Sequence, residues 1–361
     1  IAGFYKDWFK QGEGLGNFMT FGDLPAKGVG DPSGYFFPRG AILNRDLSKV
    51  HEVDLNADDQ VQEYVAHSWY DYAGGKTKGL HPYKGETKLN YSGPKPPFQQ
   101  LPVEQAYSWL KSPRWRGKAM EVGPLARVLM LYATGHAQTK ELVGATLKQL
   151  DLPVQALFST LGRTAARTLE TKILADAMQG WLDQLTANIK GGDVDTFNEA
   201  LWEPSSWPKS AKGVGFMEAP RGGLAHWIVI DNEKIANYQC VVPSTWNAGP
   251  RDPDGKPGAY EAALAGHAIH DSKQPIEVLR ASKARQLSLM PVIFSTTKNA
   301  ASMGPSPIDS SSVNSCSPRP SVNLARGVRP VPLAASNAIN RHSPLGAPSN
   351  CWSIRATISP S

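Results

Sequence analysis

Only three cysteines occur in the 361 residues, Cys240, Cys316 and Cys351, and no two lie close enough to form a C-x-x-C pair. That density excludes a disulfide framework and any cysteine-based metal module of recognisable spacing. No run of eighteen apolar residues is present, so no segment reads as a membrane-spanning helix. An initiator Met and a charged-then-apolar leader are also missing. The chain opens Ile1-Ala2-Gly3-Phe4-Tyr5, an aromatic start expected inside a longer product. Charged residues make up 19% of the chain, and the net charge of +6 is unevenly placed. Residues 281–361 hold eight Lys/Arg and one acid, Asp309, leaving thirty basic and thirty-one acidic residues in the remainder. The body thus has no basic footprint for phosphate backbones, and no nucleic-acid partner is expected.

What the chain does have is a 41% hydrophobic fraction, which fits a folded protein. Its first hundred residues are rich in Gly, Pro and aromatics. Gly12-Glu13-Gly14-Leu15-Gly16 resembles a phosphate loop only superficially; with no strand–helix unit around it, it reads as a flexible turn. Tyr35-Phe36-Phe37 and Ala41-Ile42-Leu43 read as short strands, and Asp59–Tyr72 as a helix on the spacing of Val61, Tyr64, Val65 and Trp69. Apolar spacing predicts further helices over Val103–Leu110, Leu125–Gly135 and Thr139–Leu150. From Pro153 to Lys190, Leu157, Leu161, Ala165, Leu169, Ile173, Ala177, Trp181, Leu185 and Ile189 recur every fourth residue. A period of four advances about 40° beyond a full turn at each step, so the stripe winds around the helix. Such a helix is expected to be covered on several sides, as a central member of a bundle, starting at Asp151 or Pro153 and ending at Gly191-Gly192. Trp227–Ile230 and Ile235–Val242 flank Asp231-Asn232-Glu233-Lys234 as a β-hairpin, and Gly258–Ala268 reads as a short helix. Beyond Arg280, Ser, Pro, Ala and Asn dominate without a period, as in a disordered or frame-shifted tail. The expected organisation is a folded domain over 1–280 and a low-complexity tail over 281–361.

Candidate chemistry lies at the entry to and exit from the hairpin. In Pro220-Arg221-Gly222 a rigid residue and a permissive one bracket a permanent charge, so the guanidinium can be aimed with little freedom. On its own the motif suits either a buried ion pair or carbonyl clamp, or a ligand-facing arginine. Val242-Pro243-Ser244-Thr245 ends the hairpin, and its hydroxyls suit either a turn cap or donation to a ligand. Pro250-Arg251-Asp252-Pro253 reads as a turn with an internal ion pair. His267 and His270 are three apart but lack a third ligand at a recognisable spacing, which favours surface or capping roles. His226 reads as a core histidine and Cys240, in an apolar run, as a small buried hydrophobe.

Residues 219–227 (Ala-Pro-Arg-Gly-Gly-Leu-Ala-His-Trp) and 238–252 (Tyr-Gln-Cys-Val-Val-Pro-Ser-Thr-Trp-Asn-Ala-Gly-Pro-Arg-Asp) closely resemble the active-site surround of nickel–iron hydrogenase large subunits. Met120-Glu121-Val122-Gly123-Pro124-Leu125-Ala126-Arg127 and Ser159-Thr160-Leu161-Gly162-Arg163 resemble helices of the same family, and Pro38–Leu43 and His67–Tyr70 sit in similar stretches. His67 itself reads as a packing or helix-surface residue. The resemblance covers residues 1 to about 280 and is to the C-terminal half of the membrane-bound uptake type. It implies an α+β fold, mainly helical, with a large-subunit helix bundle and a small antiparallel hairpin near the active site. It also implies an oxidoreductase that splits dihydrogen into hydride and proton at a nickel–iron pair carrying cyanide and carbon monoxide. By resemblance, Arg221 lies over the metals as the catalytic cation. Pro220, Val242 and Pro243 wall the diatomic ligands, and Ser244 donates to a cyanide with Thr245 beside it. The implied partners are an iron–sulfur small subunit and, through it, a membrane cytochrome, which implies the periplasmic face of the cell membrane.

The departures are specific. The family's R-x-C-G-x-C motif is not found here, and Gln274-Pro275-Ile276-Glu277-Val278-Leu279-Arg280 is followed by Ala281-Ser282-Lys283-Ala284-Arg285-Gln286 where D-P-C-x-x-C is expected. No metal ligand is therefore assigned, and this chain is expected not to retain the nickel–iron centre. Two identities follow: a hydrogenase large subunit whose sequence is partial and shifted near Arg280, inactive as written, or a non-catalytic remnant that binds the small subunit. A quinone-handling relative within respiratory complexes fits less well, because the Pro-Arg and Val-Pro-Ser-Thr segments stay hydrogenase-like.

Overall fold

Among the described residues, no α-helix precedes Pro124. The computed structural model describes residues 5–25, 32–95, 103–196 and 203–285, all within one unit of the chain. Short antiparallel pairs fill the first part. Strand β1 (Phe18–Thr20) pairs with β4 (Gly40–Ile42), and β2 (Asp23–Pro25) with β3 (Tyr35–Phe37). Strand β5 (Val61–Tyr64) pairs with β8 (Ser112–Trp115), and β6 (Tyr70–Tyr72) with β7 (Thr87–Leu89).

Two expected helices are absent, for identifiable reasons. In Asp59–Tyr72 the burial alternates, with Val61 and Glu63 inside and Gln62 and Tyr64 partly exposed, so the two-residue period of a strand governs. Over Val103–Leu110 the backbone is committed elsewhere. Tyr107 N–H donates to His67 O at 3.0 Å, and Ser108 O and Ala106 O accept from the Trp69 backbone and indole N–H groups, each at 3.0 Å. Those bonds leave nothing for a helical ladder.

Helices α1 (Pro124–Ala133), α2 (Ala137–Leu150) and α3 (Thr160–Lys190) pack together. Pro124 opens α1 at its first position, and every residue from Pro124 to Leu131 is buried. The long helix starts later than expected. Asp151 caps the end of α2 in the left-handed region (φ 54°), Pro153 leads into a 3-10 turn over Val154–Phe158, and Ser159 caps α3 by accepting from Gly162 N–H. The core of α3 runs only to Ile173. Farther along, Met178, Leu182, Leu185 and Ile189 are 63%, 56%, 48% and 54% exposed. Cover on several sides, expected from the winding stripe, is not formed by the described residues. The described residues divide between helices and small antiparallel sheets, as the α+β expectation has it.

The hairpin gains a third strand that the sequence did not announce. Strands β9 (Ala211–Ala219), β10 (Gly222–Asp231) and β11 (Lys234–Val241) form one antiparallel sheet with β10 central. Asn232 and Glu233, at φ 48° and 62°, make the two-residue turn whose twist suits a hairpin. Ala225, Trp227 and Val241 point into a core with Phe21, Trp115, Met120 and Trp246. Three short elements follow: α4 (Pro243–Ala248), α5 (Ala259–Leu264), matching the expected short helix, and α6 (Ile276–Arg285). Helix α6 carries order past residue 280, where none was expected. The rest of the expected tail, with Cys316 and Cys351, lies outside the described residues, as does the Ile1–Phe4 opening.

Candidate functional site

The β9–β10 turn consists of Pro220 and Arg221, between the register pair Ala219↔Gly222. Gly222 sits at φ 131°, and a Cβ there would lie 2.5 Å from Val122 Cγ2 and 2.7 Å from Gly123 N. A Cβ on Gly123 would in turn meet Arg221 O at 2.9 Å. The turn therefore lies flat on Val122–Gly123, and only glycines permit that approach.

A buried arginine holds the turn from below. Arg127, one turn into α1, donates from Nη1 to Ala219 O at 2.9 Å and from Nη2 to Pro220 O at 3.2 Å. The same guanidinium pairs with Glu170 of α3, Nη2 to Oε2 at 3.0 Å, and with Glu218 of β9 at 2.9 Å. Glu218 accepts from Phe21 N–H at 2.6 Å through its other oxygen. Burial pushes the Glu218 carboxyl up to about 7, with Arg127 pulling the other way. Burial alone would lower Arg127; hydrogen bonds and charge from Glu170, then Glu218, more than reverse that, so it stays charged.

Helix α4 approaches the same backbone from the other side. Asn247 Oδ1 accepts from Val122 N–H at 3.0 Å and its Nδ2 donates to Val122 O at 2.9 Å. Val242 is the extended residue before α4, Pro243 its first residue, and Ser244 and Thr245 complete the first turn. Thr245 is buried and its N–H returns to Val242 O at 2.9 Å, so part of this segment is ordinary helix start. Thus Val122–Gly123 seats the Pro220–Arg221 turn and is also hydrogen-bonded to Asn247, in the helix that Pro243, Ser244 and Thr245 begin. Pro220 is exposed, Arg221 and Ser244 are half-buried, and Arg221 Nε is buried without a hydrogen-bond partner. A guanidinium N–H so placed calls for an acceptor that the described residues do not supply. Sequence reasoning had no role for Arg127, Glu218 or Asn247, because their partners lie between 43 and 197 positions away.

Other expectations change. His226 and Cys240 face each other across β10 and β11 on the outer side; Cys240 is exposed, with Sγ 3.4 Å from His226 Nε2, while His226 Nδ1 meets the Tyr238 hydroxyl. The inward places opposite them belong to Ala225 and Val241, so the strand period put Cys240 outside. Desolvation raises the Cys240 thiol and lowers His226, which favours the neutral pair. Asp252 pairs with Arg114 of β8 at 2.9 Å, not with Arg251, which lies over Tyr107. His267 is buried, Nε2 3.4 Å from Thr160 Oγ1 and its ring against Trp8, while His270 is exposed. His67 packs on Tyr107, with Nδ1 3.0 Å from Arg251 O. The Gly12–Gly16 loop offers carbonyls: Arg163 Nη1 donates to Gly12 O at 2.6 Å.

The family model for nickel-dependent hydrogenases matches residues 1–284. The chain belongs to the nickel-dependent hydrogenase family. The uptake hydrogenase large subunit of Bradyrhizobium diazoefficiens is 51% identical over 289 residues, 78% of this chain and 48% of that relative. The hydrogenase-1 large chain of Escherichia coli K12 is 45% identical over 289 residues, with the same 78% and 48% coverage. Among solved structures, the Ni-Fe-Se hydrogenase of D. vulgaris Hildenborough in the reduced state aligns at 32% identity with a TM-score of 0.61, covering 79% of this chain and 54% of that one. The chain spans about half the length of the curated relatives it matches. A nickel–iron pair needs a set of soft donors. Among the described residues no three His, Cys, Asp or Glu side chains come together, and Cys240 faces His226 on the outer side of the sheet. These residues do not fit as the holder of such a pair.

Proposed function

We propose that this chain is the part of a nickel–iron hydrogenase large subunit that walls the dinuclear centre, and that it does not hold the metals by itself. The observation that carries the reading is Arg221, whose buried Nε lacks a partner while its turn is clamped by Arg127 and seated on Val122–Gly123. In this reading Arg221 offers its N–H groups to a cyanide ligand of the iron. Pro220, Val242 and Pro243 shape the wall for the diatomic ligands, and Ser244 with Thr245 donates to the second cyanide. In a complete large subunit the centre would supply heterolytic cleavage of dihydrogen, and an iron–sulfur small subunit, with a membrane cytochrome on the periplasmic side, would take the electrons. No turnover is assigned to this chain without its thiolate ligands. The division at about residue 280 belongs to the same reading and is supported by the family match ending at residue 284 of 361.

Metal analysis of the purified full chain tests the proposal. Neither nickel nor iron in stoichiometric amount, and no dihydrogen uptake, is the expected result. Stoichiometric metal with cyanide and carbon monoxide infrared bands would overturn it. Resequencing across the Arg280 codon distinguishes origins, since a frame restoring D-P-C-x-x-C makes this a shifted copy of an active large subunit.

A second reading, a non-catalytic scaffold for the small subunit, is favoured by the exposed apolar half of α3. Co-purification of this chain with an iron–sulfur small subunit supports the scaffold; failure to associate removes it.

A further inference from the structure

A cleft of about 320 Å³ opens between the N-terminal 3-10 turn and the start of α6, lined by Tyr5, Asp7, Trp8, His270 and Glu277 among others. Its volume is at the small end of pockets that take small molecules, roughly 300–1,000 Å³. Glu277 is only 8% exposed, and its Oε2 has no hydrogen-bond partner. A carboxylate oxygen left alone in a buried place asks for a donor, and a charged donor best. Asp7 adds a second carboxylate at the rim.

The aromatic pair points the same way. Tyr5 and Trp8 lie with centroids 5.5 Å apart. Both rings already attract a guanidinium: the Cζ of the exposed Arg280 lies 5.5 Å from the Tyr5 centroid and 5.3 Å from that of Trp8. These rings favour cations, and a bound planar cation would take the place of the exposed Arg280 on them. A metal ion is disfavoured, because no three His, Cys, Asp or Glu side chains converge among the described residues. A planar cation satisfies both features at once, stacking on an indole while its fork of N–H groups meets a carboxylate.

We propose that this cleft binds an arginine-like planar monocation, with Glu277 as its anionic partner and Tyr5 and Trp8 as its platform. The site is independent of the hydrogenase reading, since it uses none of the residues around Arg221. The test uses the full chain with methylguanidinium as probe and N-methylurea as its uncharged analogue of similar shape, read by calorimetry and by the Trp8 indole resonance. Methylguanidinium is expected to bind roughly tenfold or more tightly than N-methylurea, the difference that a hydrogen bond to a charged group carries. Glu277→Gln should remove most of that difference, and the Trp8 resonance should shift with saturation. Equal binding of the two probes, no shift at Trp8, or undiminished binding to Glu277→Gln would each overturn the proposal. If Glu277→Gln does not fold, the comparison of the two probes on the unmodified chain, repeated with the exposed Asp7→Asn, still decides it. Asp7→Asn should weaken methylguanidinium and leave N-methylurea unchanged, and equal effects on both refute the site.

Discussion

Replacing Arg127 by Met removes the charge and keeps most of the side-chain volume. Two buried carboxylates then lose their cation: the side chains of Glu170 and Glu218 are 9% and 0% exposed. Two carbonyl oxygens, Ala219 O and Pro220 O, lose their donor as well. Breaking a buried ion pair by deleting one partner costs about 3–5 kcal/mol. A loss of about 4 kcal/mol is a large share of the 5–15 kcal/mol that holds a domain together. Urea unfolding of the full chain, followed by far-UV circular dichroism, should show the midpoint falling by about 1.5 M at a slope of roughly 2–3 kcal/mol per molar. Arg127→Lys should fall between the two, since an ammonium cannot reach two carboxylates and two carbonyls together. Hydrogen exchange at Gly222 and Gly223 should accelerate in both variants as the turn loosens. A loss below about 1 kcal/mol for Arg127→Met, with unchanged exchange at those glycines, would refute the clamp.

Three further outcomes are expected. Gly222→Ala should destabilise by at least about 1–3 kcal/mol, because φ is 131° and the new Cβ would meet Val122 and Gly123 backbone; a neutral result in the same unfolding assay refutes the seating of the turn. Burial raises Glu218 from 4.5 to about 7 in the folded state, so its protonated form is favoured there, and stability should fall as pH rises between those values. An unchanged pH slope in Glu218→Gln would count against that assignment. Leu169→Ala, at an 8% exposed position, should cost about 2–5 kcal/mol. Leu185→Gln, on the 48% exposed part of the same helix, should change stability by less than about 0.5 kcal/mol, and similar losses at both would mean that α3 is covered along its length.

Much of the helical framework was legible because its periods were long. Leu125–Gly135 and Thr139–Leu150 became α1 and α2 within two residues at each end, and the Asp231–Lys234 turn closed the hairpin as expected. Short segments misled. Val61, Tyr64, Val65 and Trp69 fit a helical spacing by coincidence, while the two-residue alternation of Val61, Glu63 and Val65 is what the burial follows. Strand β9 was missed because Gly213 and Gly215 dilute its apolar signal, and its place is set by pairing with β10. The stripe of α3 was real, but a stripe says which residues can be buried, not how far along the helix the neighbours extend.

The sequence by itself determined the family, through long runs such as Met120–Arg127 and Tyr238–Asp252, and named Arg221 and Val242–Thr245 as the candidates for its chemistry. It also settled that no cysteine pair stands close together in the chain. Only the tertiary structure decided that Arg127, held by Glu170 and Glu218, grips the Arg221 turn, and that Asn247 ties α4 to Val122 beneath it. Only it, too, turned Cys240 outward toward His226. The physical reason is that burial of an unpaired charge or backbone group is costly, so such partners must be brought together in space. Nothing about their separation along the chain records which partner each will find.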